Sequence, residues 1–181
     1  MIHLNAALDL LAGDVVPFDM SKRREHDPKL PWGRKVVPYE RFQRKQTERP
    51  ADLSELGAMA SSYLETAAWA STHFEDQDDN SGTPIDDLIG SGQAQWSIAA
   101  VEAAKQDCQK FLELAEQQGL DLSSLDESQL GHDFFLTRNR HGAGFWDGDY
   151  PEPLGTQLTD LSHKFGESDP YLGDDKLLYF A

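Results

Sequence analysis

A chain of 181 residues suits one ordinary domain, with length enough for a core and a tail. Its formal net charge of -16 repels nucleic acid and anionic membrane and attracts basic surfaces. With 39% hydrophobic residues and a mean hydropathy of -0.59 it has no membrane-length apolar run, while 10% aromatic residues argue against a wholly disordered chain.

The start, MIHLNAALDLLAG, lacks a basic leader region and is interrupted by Asp9, so no signal peptide is expected; a short helix over His3 to Leu11 is. Residues 22 to 49 carry ten Lys/Arg against four Asp/Glu, with Pro28, Pro31, Pro38 and Pro50 breaking regular structure. The domain reading is therefore a short helix plus basic, proline-rich arm over 1–50 and an acidic α+β domain over 51–181. That second part holds twenty-five Asp/Glu against six Lys/Arg. The cations of the arm, Lys22, Arg23, Arg24, Arg34, Lys35, Arg41, Arg44 and Lys45, interleave with Trp32, Tyr39 and Phe42. Such a segment can contact phosphates and stack bases, or fold back on the acidic body.

In the body, Leu56, Ala60, Tyr63, Ala67 and Ala70 share one helical stripe. An acidic, turn-rich loop follows. Thr83 then reads as a helix N-cap with Pro84 in the first helical position and Asp86 and Asp87 in the first turn. Trp96, Ala100, Ala104, Cys108, Phe111 and Ala115 predict a longer helix over about 93–118, ended by Gly119. Cys108 lies on that apolar stripe and reads as a core residue. As a single cysteine it allows neither an internal disulfide nor a multi-cysteine zinc site, which fits the cytoplasm.

The densest stretch is HDFFLTRNRHGAGFWDGDYP, His132 to Pro151. Phe134 to Thr137 and Ala143 to Trp146 read as two strands around a turn at Asn139–Gly142, with the Trp146 ring available to the core. Leu154, Leu158, Leu161 and Phe165 mark an amphipathic helix before Gly166. PYLGDDKLLYFA reads as a second hairpin turning at Gly173–Lys176. The expected fold is thus α+β, with N-terminal helices followed by a β-β-α-β-β C-terminal module.

Three chemistries fit the first hairpin. His132, His141, Asp147 and Asp149 are metal-ligand types, but match no recognised spacing. His141 with Asp147 could do acid–base work in a small metal-dependent enzyme centred on 132–149, though no nucleophile elbow or phosphate loop accompanies them. Strand pairing with Arg138 and Arg140 bound to Asp133, Asp147 or Asp149 accounts for the stretch without a ligand. No metal, cofactor or catalytic residue is assigned on this reading.

Five segments carry a resemblance: YLETAAWAS (Tyr63–Ser71), PIDDL (Pro84–Leu88), DCQKFLE (Asp107–Glu113), GHDFFLTRNRHGAGFWDG (Gly131–Gly148) and YLGDDKLLYF (Tyr171–Phe180). Together they resemble a family of uncharacterised small phage and conjugative-element proteins sharing a GHDFWLTRNxHGAGFWD-type motif. Phe135 stands where the family usually has Trp, and Arg140 where it usually has Gly, which departs from a simple two-glycine turn. The resemblance implies a mobile-element context without assigned chemistry.

Charge and context together give the functional expectation: a mobile-element accessory protein in the host cytoplasm that binds a host protein, one that handles DNA or RNA. It would inhibit that DNA-binding or defence protein through an acidic, DNA-mimicking surface. The acidic candidates are Glu75, Asp76, Asp78, Asp79, Asp86, Asp87, Asp174 and Asp175. The hairpin candidates are Arg138, Asn139, Arg140, His141 and Asp147. Direct nucleic-acid binding is left to the arm, and no membrane partner is expected.

Overall fold

The computed structural model describes residues 49–75 and 82–181. The expected helix at His3 to Leu11 and the basic arm up to residue 48 lie outside the described residues. In chain order the helices are α1 (Ala58–Trp69), α2 (Ile85–Gly90), α3 (Ile98–Gln117), α4 (Glu127–Arg138) and α5 (Leu154–His163). The strands are β1 (Thr72–His73), β2 (Thr83–Pro84), β3 (Gln95–Trp96), β4 (Pro170–Leu172) and β5 (Leu177–Phe180). Helix and strand are mixed, so the class is α+β as expected.

Two small sheets frame the helices. β1 and β2 pair antiparallel, Thr72 with Pro84 and His73 with Thr83. The other sheet has the order β3-β5-β4, with β3 parallel and β4 antiparallel to β5. Residues 49–51 extend its edge: the Ala51 N–H donates to the Trp96 carbonyl at 2.9 Å, and Pro50 bridges Ser97. The β4–β5 hairpin turns at 173–176, where it was expected.

Local signals explain most boundaries. Ser97 caps α3, its hydroxyl accepting from the Ala100 N–H at 3.1 Å, so the helix begins after Trp96 rather than at Gln93. Ala100, Ala104, Cys108, Phe111 and Ala115 are all buried along it, as the stripe predicts. Asp86 and Asp87 occupy the first turn of α2, but Thr83 and Pro84 belong to β2 and Pro84 takes the cap position.

The main correction concerns the first expected hairpin. Phe134 to Thr137 are helical, the second half of α4, and Ala143 to Trp146 form an irregular loop. The β-β-α-β-β module is therefore α-loop-α-β-β. Asp126 starts α4 by accepting the Gln129 N–H at 2.9 Å. From Leu130 on, nearly every position is buried, including Gly131 and Asp133 through Arg138. A helix enclosed on all sides shows no amphipathic period, and a short run such as FFL then reads equally as strand.

α4 sits at the centre. Its widest contact is with α1, where Gly131 meets the backbone of Met59 with no room for a side chain. Phe134 lies 4.5 Å from Phe111 of α3, ring centroid to centroid, and edge-on to Phe165 at 4.9 Å. Phe135 meets Tyr63 of α1 edge-on at 5.2 Å. Phe145, returning from the loop, stacks on Phe111 at 5.6 Å. Each such ring contributes roughly 1.5–3 kcal/mol by burial. Trp146, apolar matter for a hairpin face on the sequence reading, is 55% exposed.

Candidate partner-binding surface

The sequence-selected loop residues divide into internal and exposed groups. Arg138 is buried at 4% exposure. It donates to Asp107 Oδ2 at 2.6 Å, to the Tyr63 hydroxyl at 2.8 Å and to the carbonyls of Gly166 and Phe165. The expected pairing with Asp133, Asp147 or Asp149 does not occur, because the helix aims this guanidinium at α3 and the 165–166 turn. Burial also withdraws Arg138 from any docking surface. Asn139 bonds inward, its Oδ1 accepting from the Ser168 N–H at 2.6 Å. Arg140 is exposed and lies 3.6 Å from Glu167. Asp147 is exposed and accepts from the Gly144 N–H at 3.2 Å.

His141 is not a turn tip. Its ring stacks on Phe135 at 5.8 Å, and its Nε2 is enclosed without a hydrogen-bond partner. His132 belongs to a different cluster. Its Nδ1 donates to Asp133 Oδ1 at 2.8 Å. The buried Asp133 also accepts from the Tyr150 hydroxyl at 2.6 Å and from Gln129 Nε2 at 2.8 Å. Burial first, and then the bond to Asp133, push the Tyr150 hydroxyl well above its ordinary value. Among the described residues no hydroxyl or thiol is hydrogen-bonded to the His132 ring. Nor does any group of three His, Cys, Asp or Glu among them suit a metal ion.

Of the acidic candidates, Glu75, Asp86, Asp87, Asp174 and Asp175 are exposed, while Asp76, Asp78 and Asp79 lie outside the described residues. The exposed ones sit on two elements, the β1–β2 ladder with the start of α2 and the β4–β5 turn. Glu75 opens the loop at one end of the β1–β2 ladder, and Asp86 leaves the other end beside Trp69. Asp174 and Asp175 form the β4–β5 turn, where Asp175 accepts from the Leu177 N–H at 3.1 Å and the Tyr179 hydroxyl at 2.8 Å. The arm cations Lys22, Arg23, Arg24, Arg34, Lys35, Arg41, Arg44 and Lys45 lie outside the described residues.

The body's own cations are largely occupied. Arg138 is internal, Lys105 pairs with Glu102 at 3.0 Å, Lys110 sits 5.8 Å from the Phe165 ring centroid, and Arg140 faces Glu167. The carboxylates dominate what remains.

Sequence reading missed one further feature. Between α1 and α2 lies a groove of about 390 Å³, floored by Leu64, Ala68, Ile89 and Trp96. Leu53 and Trp69 stand beside it, 44% and 52% exposed. Its polar edge is Ser61, Glu65 and Asp86. The Trp69 indole stacks on the His132 ring at 6.0 Å, so the Asp133–His132 pair orients a groove wall. A tryptophan at the end of an alanine-rich helix was the available signal.

No family model, curated protein or solved structure matches the chain. Among the described residues no helix is long and apolar enough to cross a membrane.

Proposed function

We propose that this is a mobile-element accessory protein of the host cytoplasm that binds a host protein handling DNA or RNA, and inhibits it by presenting carboxylates where phosphates would sit. The observation that carries this reading is the internal use of cations. Of the six Lys/Arg in 51–181, four are bound to carboxylates, carbonyls or rings of the same body, against twenty-five Asp/Glu. A surface so left uncompensated steers towards basic partners and away from phosphate. The resemblance of the Gly131–Gly148 motif to phage and conjugative-element proteins supports the context.

The test is capture from host lysate on the immobilised full chain. Nucleic-acid-handling proteins should be held at low salt, released at high salt, and displaced by excess duplex DNA. Retention that ignores DNA competitor, or a gel shift of duplex DNA by the chain itself at physiological salt, would refute mimicry.

A further inference from the structure

We propose that the α1–α2 groove is a peptide-docking site for a partner segment bearing bulky apolar side chains flanked by lysine or arginine. The inference rests on the acidic-surface reading for the sign of the partner and adds a defined place and side-chain chemistry to it.

Burial sets the first half of that chemistry. Trp69 and Leu53 are large apolar side chains left open to water, and they adjoin the recess over Leu64, Ala68 and Ile89. Contiguous exposed apolar surface rimmed by polar groups marks an interaction site. A volume near 390 Å³ falls within the range of about 300–1,000 Å³ typical of built ligand sites. One face of Trp69 lies along the His132 ring at 6.0 Å, and Asp133 holds that ring, which lowers the ordering that docking requires of this wall.

Charge sets the second half. The two helices contribute one carboxylate each to the rim, Glu65 from α1 and Asp86 from α2, and among the described residues no Lys or Arg lines the groove. Both carboxylates are exposed. The neighbouring recess at Ala51–Leu56 and Ile98–Lys105 is also acidic, with Asp52, Glu55 and Glu102, but it carries a cation of its own, Lys105, paired with Glu102. An acidic peptide or an anionic lipid would meet like charge at the groove. The body of a second copy, with twenty-five Asp/Glu against six Lys/Arg, would meet like charge too, and only its basic arm over 22–49 would match. A cationic, apolar segment satisfies both walls and rim, and its lysines and arginines are the residues that proteins holding nucleic acid present to phosphates.

The test uses the full chain and a fluorescein-labelled peptide, Lys-Lys-Leu-Trp-Leu-Lys-Lys, read by anisotropy at physiological salt. Two control peptides replace every Lys by Glu, or every apolar residue by Ser. Wild-type protein should bind the first peptide at least about tenfold more tightly than either control. Trp69→Ser and Leu53→Ser should each weaken binding by about tenfold with no loss of cooperative melting, because both side chains are exposed. Glu65→Lys with Asp86→Lys should weaken it similarly.

Equal binding by Trp69→Ser protein, or by the serine peptide, would overturn the groove while leaving salt-sensitive lysate capture intact. Equal binding of the glutamate peptide would overturn the basic partner. Concentration-dependent dimerisation lost in Trp69→Ser, seen by sedimentation, would assign the groove to a second copy and refute the proposal. Failure of the lysate experiment with peptide binding intact would sink the mimicry reading alone.

Discussion

Arg138 ends α4 inside the protein, and its five-donor fork explains why no other cation suits the position. One guanidinium serves Asp107, the Tyr63 hydroxyl and two carbonyls, and its Cζ lies 5.5 Å from the Phe134 ring centroid. Arg138→Ala would orphan the carbonyls and the hydroxyl together. Asp107 is 34% exposed and can return to water, so the expected cost is at the low end for a broken buried pair, about 3 kcal/mol in urea unfolding. Arg138→Lys should recover less than half of it, since an ammonium cannot span the same partners. A loss under about 1 kcal/mol in Arg138→Ala would show the network to be dispensable. Two positions later the argument reverses. Arg140 has φ of 57°, in the left-handed region that favours glycine. Its contact with Glu167 is long and exposed and contributes little. Arg140→Gly should therefore stabilise the protein by about 0.5–1 kcal/mol, the usual relief of a strained L-residue. Destabilisation by chemical denaturation would mean that the Glu167 contact outweighs the backbone.

The α1–α4 contact depends on an absent side chain. A Cβ at Gly131 would collide with the Met59 backbone carbonyl, which cannot rotate away as a side-chain end could. Gly131→Ala should separate the helices and cost about 1–3 kcal/mol despite alanine's better helix propensity. A rise in melting temperature would refute the close approach. At this scale legibility was uneven, for physical reasons. α3 and α5 each bury one face, so Ala100 through Ala115 and Leu158 with Leu161 announced themselves by period. α4 buries almost every side from Leu130 to Arg138 and so has no period to read. Its capping pair, Asp126 with Gln129, was in the sequence and outweighs the local strand preference of Phe134–Thr137 once tertiary burial is added. The exposed acidic residues were legible as charges, but the β1–β2 ladder that Glu75 follows and Asp86 leaves was not. Of the groove only Trp69, at the end of an alanine-rich helix, was a sequence signal, because the recess joins Leu53, Trp69 and Ile89 from three segments.

Across the whole molecule, ionisation divides into a core that resists it and a surface saturated with it. Burial raises the Tyr63 hydroxyl above its ordinary value of 10.0. Burial and then the Asp107 charge push the Cys108 thiol from 9.0 up to about 12. As pH passes 9 to 10 the unfolded chain releases these protons while the folded chain keeps them. Stability from these groups is therefore complete below about pH 8 and falls as pH rises beyond the unfolded values. Thermal melts should show Tm declining above about pH 9.5, with a shallower decline in Tyr63→Phe; identical slopes would remove Tyr63 from the account. The surface responds to a different variable. A net charge of -16 at neutral pH repels itself in the compact state, and the described exposed ion pairs, Lys105–Glu102 and Arg140–Glu167, offset little of that. Salt screens this repulsion over distances beyond about 8 Å at physiological strength, whereas the buried Arg138–Asp107 contact is screened much less. Sodium chloride should accordingly raise Tm, by about 2–4 °C for each kcal/mol of repulsion relieved, while the same salt weakens capture of a basic partner. Chloride is the salt of choice because sulfate stabilises folded proteins by exclusion whatever their charge. A Tm that falls as sodium chloride is added would mean that surface ion pairs outweigh self-repulsion, and that the carboxylates are not the uncompensated surface on which partner binding depends.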